Sequence, residues 1–129
     1  MSSHIPGLYM AFVEGKGRGM FTAELLEPGD IIEICPVVVT PPEDLEAIHQ
    51  TALHDYYFLW GPERDRAAIV LGYGSLYNHD AHPNAEVILD FEEETLLIQC
   101  VKTIHPGEEI TIHYQDDPTF KPSLWFEEQ

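Results

Sequence analysis

The sequence predicts a mostly β domain with one short helix, and three observations carry that expectation. The apolar runs are short and rich in β-branched and aromatic residues, as in 30–39 and 95–101. Glycine and proline punctuate the intervals between them. Only one segment combines a helix start with helical spacing of apolar residues.

Taken in order, residues 8–14 read as the first strand. Gly15-Lys16-Gly17-Arg18-Gly19 then reads as a mobile, positively charged loop that holds two of the six basic residues. Pro28-Gly29 marks a turn of type II character, because glycine tolerates the positive φ needed at the second central position. Residues 30–39 are strongly apolar and read as a strand with a buried face. Thr40-Pro41-Pro42-Glu43 has the form of a helix start: a threonine cap, a proline at the first helical position and a glutamate three residues after the cap. Leu45, Ile48, Ala52 and Leu53 follow at helical spacing.

Residues 55–60 are aromatic and extended, and 66–71 form a short strand. The segments 85–91 and 95–101 read as a hairpin around Glu92-Glu93-Glu94. In its first arm Val87, Leu89 and Phe91 share one face, opposite Glu86, Ile88 and Asp90. Pro106-Gly107 repeats the earlier turn and leads into a strand over 109–114. The words Pro28-Gly29-Asp30 and Pro106-Gly107-Glu108 are one turn solution used twice, which does not amount to a repeat architecture. The tail from Gln115 is polar until Leu124-Trp125-Phe126. Many short strands, frequent turns and one helix give a mostly β domain with no linker and no low-complexity tract.

The length of 129 residues predicts a single domain. A chain of this size buries roughly 68% of its unfolded surface, enough for a proper core. The formal charge of −17 implies a solvated acidic surface and attraction to a basic, lysine-rich partner. Six Lys and Arg cannot neutralise many phosphates, so direct nucleic acid binding is not expected. Cys35 and Cys100 each lie in an apolar run and read as buried free thiols. No Cys-x-x-Cys spacing suggests structural zinc. The N-terminus lacks a basic leader region, and the apolar run 8–13 is too short to span a membrane. A soluble intracellular protein is expected.

Three words carry the chemistry. They are Gly15-Lys16-Gly17-Arg18-Gly19-Met20-Phe21, then Asn78-His79 with Pro83-Asn84, then Gly107-Glu108-Glu109-Ile110-Thr111-Ile112-His113-Tyr114. In that order they resemble the glycine-rich opening word, the Asn-His-x-x-x-Pro-Asn signature and the Gly-Glu-Glu-aliphatic-Thr-x-x-Tyr signature of the SET-domain protein-lysine methyltransferases. The resemblance covers about residues 8–120 and is greatest to minimal SET domains of viral type, which lack flanking modules. It implies a single SET domain over 1–129, built from several small curved sheets around a C-terminal pseudoknot, with an aromatic tail over 115–129.

The resemblance also implies the reaction, which is transfer of a methyl group from S-adenosylmethionine to a lysine ε-amine without a metal. The amine must be neutral, although free lysine has a pKa of about 10.4. It must approach the methyl opposite the leaving sulfur, so catalysis is largely positioning. A narrow aromatic channel disfavours the ammonium by desolvation.

By the same resemblance Tyr114 is the catalytic residue, its hydroxyl orienting the amine and the methyl. Asn78 and His79 bind the adenine end of the cofactor, and Lys16, Gly17 and Arg18 lie along it. Tyr56, Tyr73, Tyr77 and Ile112 are candidates for the lysine channel or its wall, with Tyr77 also adjoining the cofactor. Ile112 stands where many relatives carry Phe or Tyr, and an aliphatic residue there leaves room for higher methylation. Phe120 or Trp125 covers the adenine ring. Two departures from the family pattern stand out. Asp80 occupies the position of a usual serine, and the zinc-bound cysteine cluster that often holds the C-terminal aromatic is absent.

Two other readings compete. One is a metal site built from His79, Asp80 and His82, joined by His105 and His113, although no His-Glu-x-x-His word supports it. The other is a catalytically silent SET module that binds a basic partner. The acceptor is expected to be a histone tail in a host with chromatin, or another basic protein otherwise. Location in cytoplasm or nucleus depends on that host, and a secreted bacterial effector fits as well. Dimerisation is one way for so small a domain to complete its substrate cleft.

Overall fold

The computed structural model describes residues 4–54, 56–114 and 123–124, the last two by their backbone. Ten strands run through the described residues: β1 Leu8–Val13, β2 Gly17–Thr22, β3 Ile31–Val39, β4 Tyr57–Trp60, β5 Arg66–Val70, β6 Asn78–His79, β7 Ala85–Asp90, β8 Thr95–Cys100, β9 Glu109–Ile112 and β10 Ser123–Leu124. They form a four-stranded sheet in the order β1-β2-β9-β6 and a six-stranded sheet in the order β10-β7-β8-β3-β5-β4. This is the expected mostly β architecture, with one short α-helix among the described residues, α1 over Leu45–His49.

The glycine-rich stretch departs from the expected loop. Gly17 pairs with Val13 and Gly19 with Ala11, so most of the stretch lies within β2. The turn itself is confined to residues 14–16, with Gly15 at φ +81° and Gly17 at φ +86°, and the Lys16 N–H closes it on the Val13 carbonyl at 3.0 Å. Six paired residues on each arm outweigh the weak strand preference of two glycines.

The helix start also differs. Thr40 caps nothing. Its hydroxyl donates to the Ala67 carbonyl at 2.8 Å, fastening it to β5. The chain instead makes a 3-10 turn over Pro42–Asp44 before α1, which is five residues long and buries none of them. Ala52 and Leu53 lie beyond it and are exposed.

The two Pro-Gly turns are as expected. Gly29 at φ +100° and Gly107 at φ +88° each take the position that requires a left-handed backbone. The residues that precede them pair with each other: Leu26 and Ile104 exchange both N–H···O bonds at 2.9 Å. Both side chains are buried, so the echoed words close one corner of the core. The core itself runs between the sheets through Met20, Ile32, Leu96, Ile98 and Ile110. Cys35 and Cys100 are buried free thiols, as expected. Among the described residues no helix is long and apolar enough to cross a membrane.

The arrangement that positions the site is a parallel contact. Asn78 aligns with Thr111 and His79 with Ile112, so β6 lies directly beside β9. The Asn-His word and the C-terminal word, distant in sequence, become neighbours.

Candidate functional site

A cleft of ≈ 470 Å³ opens where the first hairpin, the turn before β6, the segment between α1 and β4, and the end of β9 converge. Lys16 and Arg18 line it from the hairpin. Gly74 to Asn78 line it from the turn, Ile112 and Tyr114 from the end of β9, and His49, His54 and Tyr56 to Leu59 from the remaining side.

Side-chain hydrogen bonds fix this convergence. Asn78 Nδ2 donates to the Arg18 carbonyl at 3.0 Å and to Glu109 Oε2 at 2.7 Å. One amide thereby ties β6 to both β2 and β9. Glu109 Oε1 lies 3.8 Å from Lys16 Nζ, a long and partly exposed contact between the hairpin tip and the same carboxylate. Gly19 sits against this junction, and a Cβ there would come within 2.6 Å of Glu109 Oε2 and 2.8 Å of Asn78 Nδ2. Asn84 acts as a substitute strand partner. Its Nδ2 donates to the Glu109 carbonyl at 2.9 Å, and its Oδ1 accepts the Thr111 N–H at 2.8 Å.

His79 and Tyr114 meet at the end of β9. The Tyr114 N–H donates to His79 Nδ1 at 2.9 Å, and the two rings lie 5.2 Å apart. The adjacent Asp80 N–H donates to the Ile112 carbonyl at 2.9 Å. Ile112 is buried at the floor of the cleft, whereas Tyr114 is 40% exposed at its edge.

Tyr77 lines the cleft, as a wall residue should. Its hydroxyl, however, turns into the core and donates to Glu33 Oε1 at 2.7 Å. Burial first, and then the Glu33 carboxylate, push that hydroxyl far above the usual tyrosine range, so it remains a donor at all ordinary pH. The Tyr77 hydroxyl is therefore not available to a ligand, and only its backbone and ring face the cleft side.

Tyr73 is not among the residues that line the cleft. The chain turns at Gly72, and the Tyr73 N–H is held by Glu33 Oε2 at 2.9 Å while its ring packs edge-on against His4. Tyr56, by contrast, does line the cleft, and its carbonyl accepts the Ser75 hydroxyl at 2.7 Å. Gly17 and His79 adjoin the lining without forming part of it. Phe120 and Trp125 lie outside the described residues.

The alternative metal site finds no geometry. Asp80 Oδ1 accepts the His82 N–H in a local turn, and the His105 N–H and ring are engaged by Glu108. Among the described residues no three His, Cys, Asp or Glu side chains are grouped to hold an ion.

Two features of the cleft escaped the sequence reading. The first is the wall contributed by His49 and His54, whose rings lie 4.1 Å apart, with His49 Nδ1 2.7 Å from the Tyr57 hydroxyl. Nothing in their spacing marks them. The second is Glu33, a lone carboxylate in the run Ile31-Ile32-Glu33-Ile34-Cys35. Its parity with Cys35 and Val37, on the buried face of β3, was a legible signal.

Comparison with known proteins bears on the same segments. Residues 17–115 match the sequence profile of the SET domain. A Schizosaccharomyces pombe protein named histone-lysine N-methyltransferase, H3 lysine-37 specific, is 34% identical over 117 residues, which is 90% of this chain and 74% of that protein. The crystal structure of a candidate histone methyltransferase of Plasmodium falciparum superposes with a TM-score of 0.69 at 29% identity, covering 87% of this chain and 96% of that one.

Proposed function

The chain belongs to the SET-domain family and is a protein-lysine methyltransferase, and from that premise we propose that it methylates a lysine of a basic protein, a histone foremost, at the cleft around Tyr114. The observation that carries this reading is the convergence of three words, separate in sequence, on one cleft: Lys16 and Arg18, Asn78, and Ile112 with Tyr114.

Members of the family depend in general on S-adenosylmethionine, and the residues present suit it. The cleft volume of ≈ 470 Å³ falls within the range of small-molecule sites. Lys16 and Arg18 are cations on one wall, suited to a carboxylate. Lys16 is partly exposed and its contact to Glu109, at 3.8 Å, is long, so it can exchange partners. Backbone groups from Gly74 to Asn78 and the faces of Tyr56 and Tyr114 suit a purine and a sulfonium. When bound, S-adenosylmethionine supplies a methyl group on a positively charged sulfur, open to attack by a neutral amine.

The chain's own residues supply the rest. Ile112, Phe58 and Tyr56 make an apolar, aromatic wall that penalises the ammonium and favours the neutral amine. The Tyr114 hydroxyl accepts or donates one hydrogen bond and so fixes the direction of the amine lone pair. His79 holds the Tyr114 backbone from behind. The net charge of −17 draws in a basic substrate.

The test is transfer of labelled methyl from S-adenosylmethionine to core histones and a panel of other basic proteins, with Tyr114→Phe in parallel. Label on a lysine that falls at least about tenfold in the variant is the expected result, in line with loss of one orienting group. Cofactor binding with no label on any protein would favour a silent binding module. Equal label with native protein and variant would remove Tyr114 from the chemistry.

A further inference from the structure

We infer that Glu33 is a positioning residue for the cleft: from inside the core it clamps both ends of the turn 73–77, and so sets the wall on which the cofactor rests. This rests on the cleft being the cofactor and acceptor site.

Glu33 is 1% exposed, yet it belongs to β3 of the other sheet. Its two oxygens are divided between the two ends of one turn. Oε2 accepts the Tyr73 N–H at 2.9 Å, and Oε1 accepts the Tyr77 hydroxyl at 2.7 Å. Between those points lies the 3-10 turn Gly74–Leu76, and immediately after them comes Asn78. The stretch from Gly74 to Asn78 is one wall of the cleft.

The chain around the carboxylate is shaped to admit it. Gly72 adopts φ +72°, and a Cβ there would come within 2.6 Å of Glu33 Oε2. Gly74 has no room for a side chain either, because Val70 and Cys35 Sγ fill the space. A carboxylate so deeply buried is costly unless its oxygens are satisfied, and its described donors come mainly from this turn. A purely apolar side chain would fill the same volume without that cost. The polar group instead specifies one arrangement of the turn, because both bonds form together only when Tyr73 and Tyr77 are correctly placed.

Glutamine replaces it only in part. Its Oε1 can accept the Tyr73 N–H, but the Tyr77 contact must then reverse, with Nε2 donating to the phenol oxygen, and both bonds lose the carboxylate charge. Tyr77→Phe removes one bond and leaves the carboxylate. Ile104→Val serves as a control, since it thins the core beside Leu26, outside the cleft lining.

The experiment has two arms on the full chain. Hydrogen–deuterium exchange over 72–79 is measured without cofactor, and KM for S-adenosylmethionine and kcat are measured on a basic protein acceptor. The expected result is faster exchange over 72–79 in Glu33→Gln and Tyr77→Phe, with KM raised about fivefold or more and kcat changed far less, the loss of one charge-assisted bond acting through position. Ile104→Val should lower the melting temperature and leave both readouts as in the native protein. Unchanged exchange over 72–79 in Tyr77→Phe would overturn the inference, as would a KM shift matched by Ile104→Val. If Glu33→Gln does not fold, Tyr77→Phe decides alone. A native protein that neither binds S-adenosylmethionine nor transfers methyl would refute the reading of the cleft, and the exchange arm would still decide whether Glu33 holds the turn.

Discussion

His79 Nδ1 accepts the backbone N–H of Tyr114 at 2.9 Å, in the same way that a neighbouring strand would accept it. β9 ends at Ile112, so Tyr114 lies past the ladder, and the imidazole takes over as the pairing group. That bond carries the Asn-His word into the placement of the tyrosine. His79→Ala should therefore lower kcat/KM by about tenfold, through misorientation of Tyr114 rather than loss of a reacting group. His79→Asn, whose Oδ1 can reach the position of Nδ1, should recover part of the loss. Initial rates of methyl transfer at fixed cofactor concentration check both. Equal rates for the Ala and Asn variants would mean that the bond to Tyr114 is not what matters.

Gly19→Ala should both destabilise the fold and weaken cofactor binding. The added Cβ would meet Glu109 Oε2 at 2.6 Å, Asn78 Nδ2 at 2.8 Å and Val13 Cγ2 at 2.9 Å. Two of those atoms form the bond that joins β6 to β9. Overpacking at such a junction costs about 1–3 kcal/mol. Urea denaturation should report that loss, and titration with S-adenosylmethionine should report a weaker complex. Full stability in Gly19→Ala would mean that the junction yields freely.

The two outcomes above depend on features of unequal legibility. Turns and strands could be read because their causes are local. Gly29 and Gly107 announce a positive φ, and the β-branched runs of β3, β7 and β8 announce themselves. The juxtaposition of Asn78 with Thr111 is non-local, and no periodicity carries it; only the resemblance of the ordered words did. Thr40 failed as a cap because a tertiary acceptor, the Ala67 carbonyl, competes with the local donors of the helix. Gly17 and Gly19 failed as loop residues for the same reason, since β1 and β9 flank β2 on both sides. The resemblance set Tyr114 apart from Tyr77, but no local pattern showed that the Tyr77 hydroxyl bonds into the core while Tyr114 stands at the edge of the cleft.

Ile112 should govern how many methyl groups the product carries. It lines the cleft and is 1% exposed, paired through its backbone with His79. An aliphatic side chain there leaves volume for a methylated amine to turn and react again. The native enzyme should give di- or trimethyl-lysine, and Ile112→Phe should shift the product toward monomethyl, at a packing cost of about 1–3 kcal/mol. Mass spectrometry of the acceptor decides it. A strictly monomethyl product from the native chain would sink the idea.

The buried thiols should make stability fall in alkali. Burial, and then the Glu33 carboxylate, raise the Cys35 pKa well above the ordinary thiol range, and burial raises that of Cys100. In the unfolded chain both thiols ionise in that ordinary range, whereas the folded chain keeps its protons. The unfolded state then binds fewer protons, so unfolding becomes easier as pH rises. The contribution is fully present below the unfolded thiol pKa and is lost progressively above it. Urea midpoints measured from neutral pH to about pH 10 should decline, and Cys35→Ala should flatten part of that decline. At neutral pH both thiols should resist alkylation until denaturant is added. Rapid native-state labelling of Cys35 would contradict its burial.

Acceptor binding should be far more sensitive to salt than catalysis. The chain carries 23 acidic against 6 basic residues, and two of the basic ones, Lys16 and Arg18, line the cleft, where the proposed cofactor carboxylate would pair with them. What faces an approaching acceptor is then a negative surface with little to offset it. Its attraction for a lysine-rich segment is long-ranged at low salt, and it is screened beyond about 10 Å at 0.1 M. Raising salt from about 0.05 to 0.5 M should therefore raise KM for a basic peptide about tenfold, with kcat nearly constant, because screening acts on encounter and not on the desolvated amine. Acetylating the flanking lysines of the peptide should raise KM at low salt and remove the dependence. A KM flat across that range would mean that the acidic surface takes no part in choosing the substrate.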